Sequence, residues 1–241
     1  MDFNIVRANI AKVSADAIVL PANPMLKEGS GASTAIFEAA GRKKLAQACE
    51  KLAPCEVGSA VPTLAFKLNA KYIVHAVVPK WIDGEHNEYE LLSSAYLSAL
   101  NIAEVMGCES IAFPLLASGN NGYALDFAFQ IAKESIASFE GVNLKKVTLV
   151  IYGDHIAAIV KEQGYAVAEI PEDLQKAALK KEHQEKQKKL LADGKEAAQK
   201  VLEDQIAKAI EWIKKPENQK KVYDAGTLVF QLVTKKKIPK R

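Results

Sequence analysis

Two short loops rich in glycine and serine carry the residue types that most clearly suggest chemistry in this chain of 241 residues. The first, residues 29–31 (Gly-Ser-Gly), follows an apolar run over residues 17–20 and precedes a segment with helical apolar spacing. The second, residues 118–122 (Ser-Gly-Asn-Asn-Gly), stands between a second apolar run and another helical segment. A helix N-terminus offers free N–H groups and the positive end of its dipole, and small residues let a phosphate approach them.

The two loops therefore predict a phosphate-bearing ligand held between them. The alternative is a pair of ordinary strand-to-helix turns, with Ser33 or Thr34 as the N-cap of the first helix. Neither loop contains the P-loop pattern GxxxxGK[ST] or the dinucleotide fingerprint GxGxxG. The residue types alone therefore indicate a phosphate-bearing ligand but do not identify it further.

The elements that position these loops alternate between apolar runs and amphipathic segments, which is typical of an α/β domain with a buried sheet. The predicted strands cover residues 3–8, 17–20, 61–65, 72–78, 110–116 and 146–152. The predicted helices cover residues 34–52, 88–106 and 125–138, and a last short helix ends near Gly164.

Composition places the chain in the ordinary globular class, with 49% hydrophobic and 25% charged residues. No apolar run approaches the roughly 20 residues of a membrane span, and the first residues do not resemble a secretory signal. The three widely spaced cysteines favour reduced thiols over disulfides or a zinc site. We therefore expect a cytoplasmic protein without a metal or a cofactor.

The charge is uneven along the chain. Residues 166–241 hold 18 of the 32 basic residues and 12 of the 29 acidic ones, so the basic character belongs to this extension. Its spacing predicts an amphipathic helix over residues 198–213, whereas residues 222–233 fit either a helix or a strand. Because Lys and Glu alternate around its faces, a solvated helix is favoured over a nucleic-acid or protein contact, which stays an alternative.

Three motifs in register resemble the macrodomain family. These are Asp-Ala-Ile-Val at residues 16–19 with Ala22-Asn23, the run from His75 to Trp81, and Ser110 to Pro114 followed by the second loop. The resemblance covers residues 1–165. It implies a three-layer α/β/α sandwich with a mixed central sheet and a cleft for ADP-ribose or a related nucleotide. The basic, mainly helical extension over residues 166–241 is indicated by its own composition and takes no part in the resemblance.

The chain departs from the family pattern inside its ligand loops. The aspartate that contacts adenine in the family falls on Asn9, and the first asparagine of the family's loop falls on Leu20. The aspartate of the hydrolytic branch falls on Ser33, the glycine after it on Thr34, and the aromatic beside the distal ribose on Asn121. These changes predict weaker binding and place hydrolysis in doubt.

The resemblance assigns the ligand to residues of both loops and of the turn after the first strand. Asn23 and Ser33 are the candidate catalytic residues, with Asn23 expected to orient a water or a ribose hydroxyl. The predicted ligand-binding residues are Asn9, Ile10, Ala22, Asn23, Gly29, Ser30, Gly31, Ala32, Ser33, Thr34, Ala117, Ser118, Gly119, Asn120, Asn121, Gly122 and Tyr123.

Three functions remain open at this point. The first is a module that binds ADP-ribose, either free or attached to a protein by ADP-ribosylation. The second is an ADP-ribosyl hydrolase that orients a water without the loop aspartate. The third is a degenerate macrodomain that acts as an interaction module. His75 is expected to be structural, and Asp154 and His155 are expected to form an ordinary loop.

Overall fold

The computed structural model describes residues 1–169 and 195–235, and these residues form a mixed sheet flanked by helices. The strands are β1 (Asp2–Arg7), β2 (Ala17–Ala22), β3 (Ala60–Leu64), β4 (Tyr72–Val77), β5 (Ser110–Pro114), β6 (Lys146–Ile151) and β7 (Ala168–Glu169). Their order across the sheet is β3-β4-β2-β5-β6-β1-β7. Only β3 runs antiparallel to its neighbour within this sheet.

Helices stand in four of the connections between the described strands, and two further described helices follow β7. They are α1 (Ala32–Ala40), α2 (Arg42–Glu50), α3 (Glu88–Val105), α4 (Leu125–Ala137), α5 (Asp154–Glu162), α6 (Lys195–Lys214) and α7 (Pro216–Lys235). A 3₁₀ turn spans Ile10–Lys12. No helix in the described part of the chain combines the length and the apolarity that a membrane crossing needs.

Alternate residues of β2 enter two different cores, which defines the three layers. Ala17 and Val19 pack with α3, α4 and α5 on one face of the sheet. Ile18 and Leu20 pack with α1 and α2 on the other face. Because successive side chains of a strand point to opposite faces, a run of apolar residues is needed where both faces are covered. The predicted α/β/α sandwich with a mixed sheet is confirmed.

The predicted helix over residues 34–52 is wrong, because the chain breaks there into α1 and α2. Gly41 separates the two helices with φ 97° and ψ 93°, a conformation that favours glycine. Its N–H donates to the carbonyl oxygen of Phe37 and so ends α1. Both helices cover the same face of the sheet, so the apolar spacing continues across the break. For that reason the periodicity of the sequence did not predict the break at Gly41.

The C-terminal helices lie against α3 on the first face of the sheet. Ala209 of α6 and Val222 and Val229 of α7 are buried in the same core as α3. The segment over residues 222–233, for which the sequence left helix or strand open, is helical, and Pro216 begins α7 at a position that tolerates proline. The predicted helix formers over residues 172–194 lie outside the described residues.

Candidate functional site

The carboxyl ends of β2, β5 and β6 open into one cleft of 930 Å³. These strands are neighbours in the sheet, so the loops that follow them meet at one edge. Both glycine-containing loops line the cleft, as the sequence predicts for a crevice at the strand ends of an α/β sheet. The volume lies near the upper end of the range of roughly 300–1,000 Å³ that ligand pockets occupy.

Three helices begin at the wall of this cleft. Ala32 at the start of α1, Leu125 at the start of α4 and Asp154 at the start of α5 all line it. Each helix directs the positive end of its dipole and its unpaired first-turn N–H groups towards that wall. Lys80 adds a cationic side chain to the same surface. The cleft is therefore built to hold an anion, and a diphosphate suits it.

Asn23 shapes the turn that leaves β2. Its side-chain oxygen accepts from the N–H groups of Met25 at 3.1 Å and of Lys27 at 3.2 Å. Its side-chain nitrogen donates to the carbonyl oxygen of Lys27 at 2.8 Å. The loop also contains Leu26 with φ 52°. Asn23 lines the cleft, but each of its side-chain polar atoms already has a partner in the loop.

Ser33 and Thr34 both hold the first glycine of the loop in place. The Ser33 hydroxyl accepts from the N–H of Gly29 at 3.0 Å, and Ser33 is only 2% exposed. The Thr34 hydroxyl donates to the Gly29 carbonyl oxygen at 2.6 Å. Ser33 lines the cleft and Thr34 does not. The two side chains that the resemblance sets against an aspartate and a glycine of the family pattern thus hydrogen-bond to the loop backbone.

The second loop is fixed by hydrogen bonds from its own polar side chains. Ser118 donates to the carbonyl oxygen of Leu115 at 2.7 Å, and the Asn121 amide donates to that of Pro79 at 2.8 Å. The Asn120 amide donates to the Ser30 hydroxyl at 3.0 Å and joins the two loops across the mouth of the cleft. These hydrogen bonds therefore fix the two loops relative to each other.

An aromatic cluster supports the second loop from behind. The N–H of Trp81 donates to the carbonyl oxygen of Asn121 at 2.8 Å. The Trp81 ring meets those of Tyr89 and Tyr123 edge to face, each at 5.3 Å between centroids. Tyr123 is only 5% exposed, and its hydroxyl donates to the Glu88 carbonyl oxygen at 2.7 Å. Tyr123 therefore belongs to the support and is not part of the cleft wall.

The Glu88 carboxylate organises the segment that carries Trp81. It accepts from the backbone N–H groups of Ile82, Asp83, Gly84 and His86 at 2.7–3.1 Å. Burial acts to raise the pKa of Glu88, but these donors outweigh it and hold the pKa at about 2. The ionised carboxylate thus accepts hydrogen bonds from N–H groups that would otherwise lack a partner.

Some of the predicted ligand-binding residues lie apart from the cleft lining. The Asn9 side chain accepts from the N–H of Ala11 at 2.9 Å and caps the 3₁₀ turn, and Ile10 is buried beneath it. Gly122 and Thr34 are also not among the residues that line the cleft. The members that do line the cleft are Ala22, Asn23, Gly29, Ser30, Gly31, Ala32, Ser33, Ala117, Ser118, Gly119, Asn120 and Asn121.

The turn from β6 into α5 supplies lining residues that the sequence reasoning missed. Tyr152, Gly153, Asp154 and His155 all line the cleft, although the last two were expected to form an ordinary loop. Tyr152 is 82% exposed, which is unusual for an aromatic ring beside a buried strand. A tyrosine placed directly between an apolar strand and a glycine was the available signal.

Carboxylates are scarce at this site. Asp154 is the only acidic residue among the described residues that line the cleft, and it pairs with Arg7 at 2.6 Å. Glu28 and Glu38, the acidic residues nearest to Ser33 in sequence, lie beside Arg42 at 3.0 and 3.7 Å. The acidic residue that lines the cleft and the two nearest to Ser33 in sequence are therefore all held in ion pairs with arginine.

His75 lies within the sheet and is structural, as expected. The residue is completely buried, and its Nε2 atom lies 2.9 Å from the Thr63 hydroxyl oxygen. Burial lowers the pKa of His75 to about 3, so the ring is neutral at pH 7.

Comparison with known proteins agrees with this architecture. Residues 19–132 match the Macro domain family. The chain is 43% identical over 140 residues to an O-acetyl-ADP-ribose deacetylase of Citrobacter rodentium, a match that covers 56% of this chain and 78% of the relative. It is 38% identical over 154 residues to a macro domain-containing protein of Caldanaerobacter subterraneus, covering 62% of this chain and 88% of that one.

The fold is also similar to the solved structures of macrodomains. The Oceanobacillus iheyensis macrodomain with ADP superposes with a TM-score of 0.62 at 30% identity, over 66% of this chain and 87% of that one. The Trypanosoma brucei macrodomain in complex with ADP-ribose gives 0.61 at 26% identity, over 68% and 69%. With the cleft at the strand ends and this extent of sequence identity, the chain belongs to the macro domain family.

Proposed function

We propose that this protein binds ADP-ribose in the cleft at the carboxyl ends of β2, β5 and β6. The observation that carries the proposal is the convergence of three helix N-termini and two small-residue loops on one cleft. A diphosphate is the part of the ligand that such a site recognises best. The solved macrodomains with ADP and with ADP-ribose support the choice of nucleotide.

The order of strands suggests how the ligand lies. Tyr152 follows β6, and its exposed ring offers a surface on which adenine can stack. Asn23 and Pro24 follow β2 on the opposite side of the phosphate-binding loops. Adenine therefore lies near Tyr152, the diphosphate between the loops, and the distal ribose near Asn23.

Binding is tested by calorimetry with ADP-ribose and a variant that blocks the cleft. Gly119 lines the cleft, and a Cβ atom built on it meets no atom within 4 Å. Gly119→Glu thus adds bulk and a charge that repels the diphosphate, without strain in the loop. We expect affinity on the order of micromolar for the natural chain and a loss of at least about 100-fold in the variant.

Two further variants make this result specific. Gly119→Leu adds similar bulk without charge and separates the two contributions. Val142→Glu introduces the same charge at an exposed residue before β6, at the other end of the sheet, and should bind normally. A natural chain that fails to bind millimolar ADP-ribose, or a Gly119→Glu variant that binds normally, contradicts the proposal.

Hydrolysis of an ester of ADP-ribose is a second candidate, favoured by the similarity to an O-acetyl-ADP-ribose deacetylase. Against it, the Ser33 hydroxyl and the Asn23 amide are both engaged in the loop. Release of acetate from O-acetyl-ADP-ribose by the natural chain, lost in Asn23→Ala, would assign the enzyme. Binding without turnover would leave the protein as a binding module.

A further inference from the structure

A second cavity lies between α3 and the two C-terminal helices. It encloses 360 Å³, within the range of small ligand pockets. Its lining is mainly apolar and includes Leu91 and Ile102 of α3 with Trp212, Ile213 and Val222 of α6 and α7. The C-terminal helices that form one side of it lie outside residues 19–132, where the family match falls.

The second cavity is a direct neighbour of the nucleotide cleft. Val57 lines both of them and is the residue that they share. The segment around Val57 is held at this border, since the N–H of Cys55 donates to the Pro24 carbonyl oxygen and that of Gly58 to the Val77 carbonyl oxygen, each at 2.8 Å. Pro24 lines the nucleotide cleft, and Gly58 lines the second cavity.

The border lies at the end of the cleft that we assign to the distal ribose. Asn23 and Pro24 belong to that end, and Val57 is their neighbour through the Cys55 hydrogen bond. A distal ribose bound at that end would therefore have Val57 among the lining residues on its side of the cleft. On the side of the second cavity, Val57 shares the lining with the apolar side chains of Trp212 and Ile213.

We propose that the second cavity binds an apolar chain attached to the distal ribose, so that acyl esters of ADP-ribose longer than acetyl are the preferred ligands. The inference rests on the proposed binding of ADP-ribose and adds the class of substituent. An alkyl chain removes the apolar walls from water, and each methylene buried there adds to affinity. The C-terminal helices thus act as a specificity element.

The test uses the full chain and three probes that do not hydrolyse: ADP-ribose and its methyl and octyl ethers on the distal ribose. Calorimetry should show the octyl ether binding at least about tenfold more tightly than the methyl ether. Equal affinity for the two ethers in a chain that binds ADP-ribose overturns this inference alone. A chain that binds none of the three overturns the proposed function and this inference together.

A pair of adjacent lysines on α7 gives matched variants. Both are exposed, but Lys220 lines the second cavity and Lys221 does not. Lys220→Phe should fill the rim and remove the gain from the octyl chain, whereas Lys221→Phe should keep it. Both variants should bind ADP-ribose like the natural chain, which shows that they fold. A gain that survives in Lys220→Phe overturns the inference.

Fluorescence supplies a readout that does not depend on how well Lys220→Phe fills the rim. Trp212 lines the second cavity, so the saturated complex with the octyl ether should differ in emission from that with the methyl ether. The difference should vanish in Trp212→Phe. Identical emission from the two complexes of the natural chain overturns the placement of the alkyl chain.

Discussion

At the scale of single residues, the Glu88 carboxylate holds the backbone of the segment that follows Trp81. Glu88→Gln should destabilise the fold by about 2–3 kcal/mol at pH 7, because the carboxylate accepts from four backbone N–H groups. The difference should shrink as the pH falls from 4.5 towards 2, since the folded-state pKa lies below the ordinary value. Urea unfolding of the variant and the natural chain at pH 7 and at pH 3 measures the loss of stability and its dependence on pH.

Glu85→Gln is the control, because it changes an exposed carboxylate of the same segment. It should leave the free energy of unfolding within about 0.5 kcal/mol of the natural chain at both pH values. A loss in Glu88→Gln that stayed equally large at pH 3 would show that the lost charge is not the cause.

At the scale of elements, the crossing of α7 over α3 depends on Gly226. A Cβ atom at this position would lie 2.6 Å from the Ser94 hydroxyl oxygen and 3.0 Å from the Glu90 carbonyl oxygen. Gly226→Leu should therefore separate the helices and lower the free energy of unfolding by about 1–3 kcal/mol, despite the better helix propensity of leucine. Urea denaturation measures the loss.

Asp224→Leu gives the comparison within the same helix, because Asp224 is exposed. This variant also places a leucine on α7, but at a position without the contact to α3. The free energy of unfolding of Asp224→Leu should equal or exceed that of the natural chain. If Gly226→Leu were as stable as Asp224→Leu, the close approach of the two helices would not contribute to stability.

At the scale of the whole molecule, we propose that residues 1–165 form the macrodomain unit and that residues 166–241 are an extension docked onto it. A chain ending at residue 169 should still bind ADP-ribose, because the described residues of the cleft all precede that point. It should lose about 3 kcal/mol or more of stability, since Val222 and Val229 are buried in the core with α3.

Calorimetry and urea unfolding on the shortened chain check the two halves of this prediction separately. A shortened chain with unchanged stability would mean that the C-terminal helices are only loosely attached. A shortened chain that is folded but binds no ADP-ribose would mean that the extension contributes to the nucleotide cleft itself.

The sequence by itself determined the layered α/β fold and the location of the cleft. Apolar runs such as residues 72–77 specify strands with both faces covered, and the order of three motifs identified the family. It also singled out both loops that line the cleft, because small residues before a helix N-terminus let a ligand approach the backbone N–H groups. These features depend on residues close together in the chain, where periodicity and turn chemistry act directly.

The tertiary structure decided the features that depend on contacts between distant segments. Residues far apart in sequence form the hydrogen bond between Asn120 and Ser30, the cleft lining that Tyr152 shares with the second loop, and the cavity between α3 and the C-terminal helices. The helical state of residues 222–233 was also set by packing, since its apolar spacing fits more than one conformation. The break at Gly41 comes from a local backbone conformation that apolar periodicity does not show. Local pattern fixes which face of an element is apolar, whereas only the folded chain fixes what that face meets.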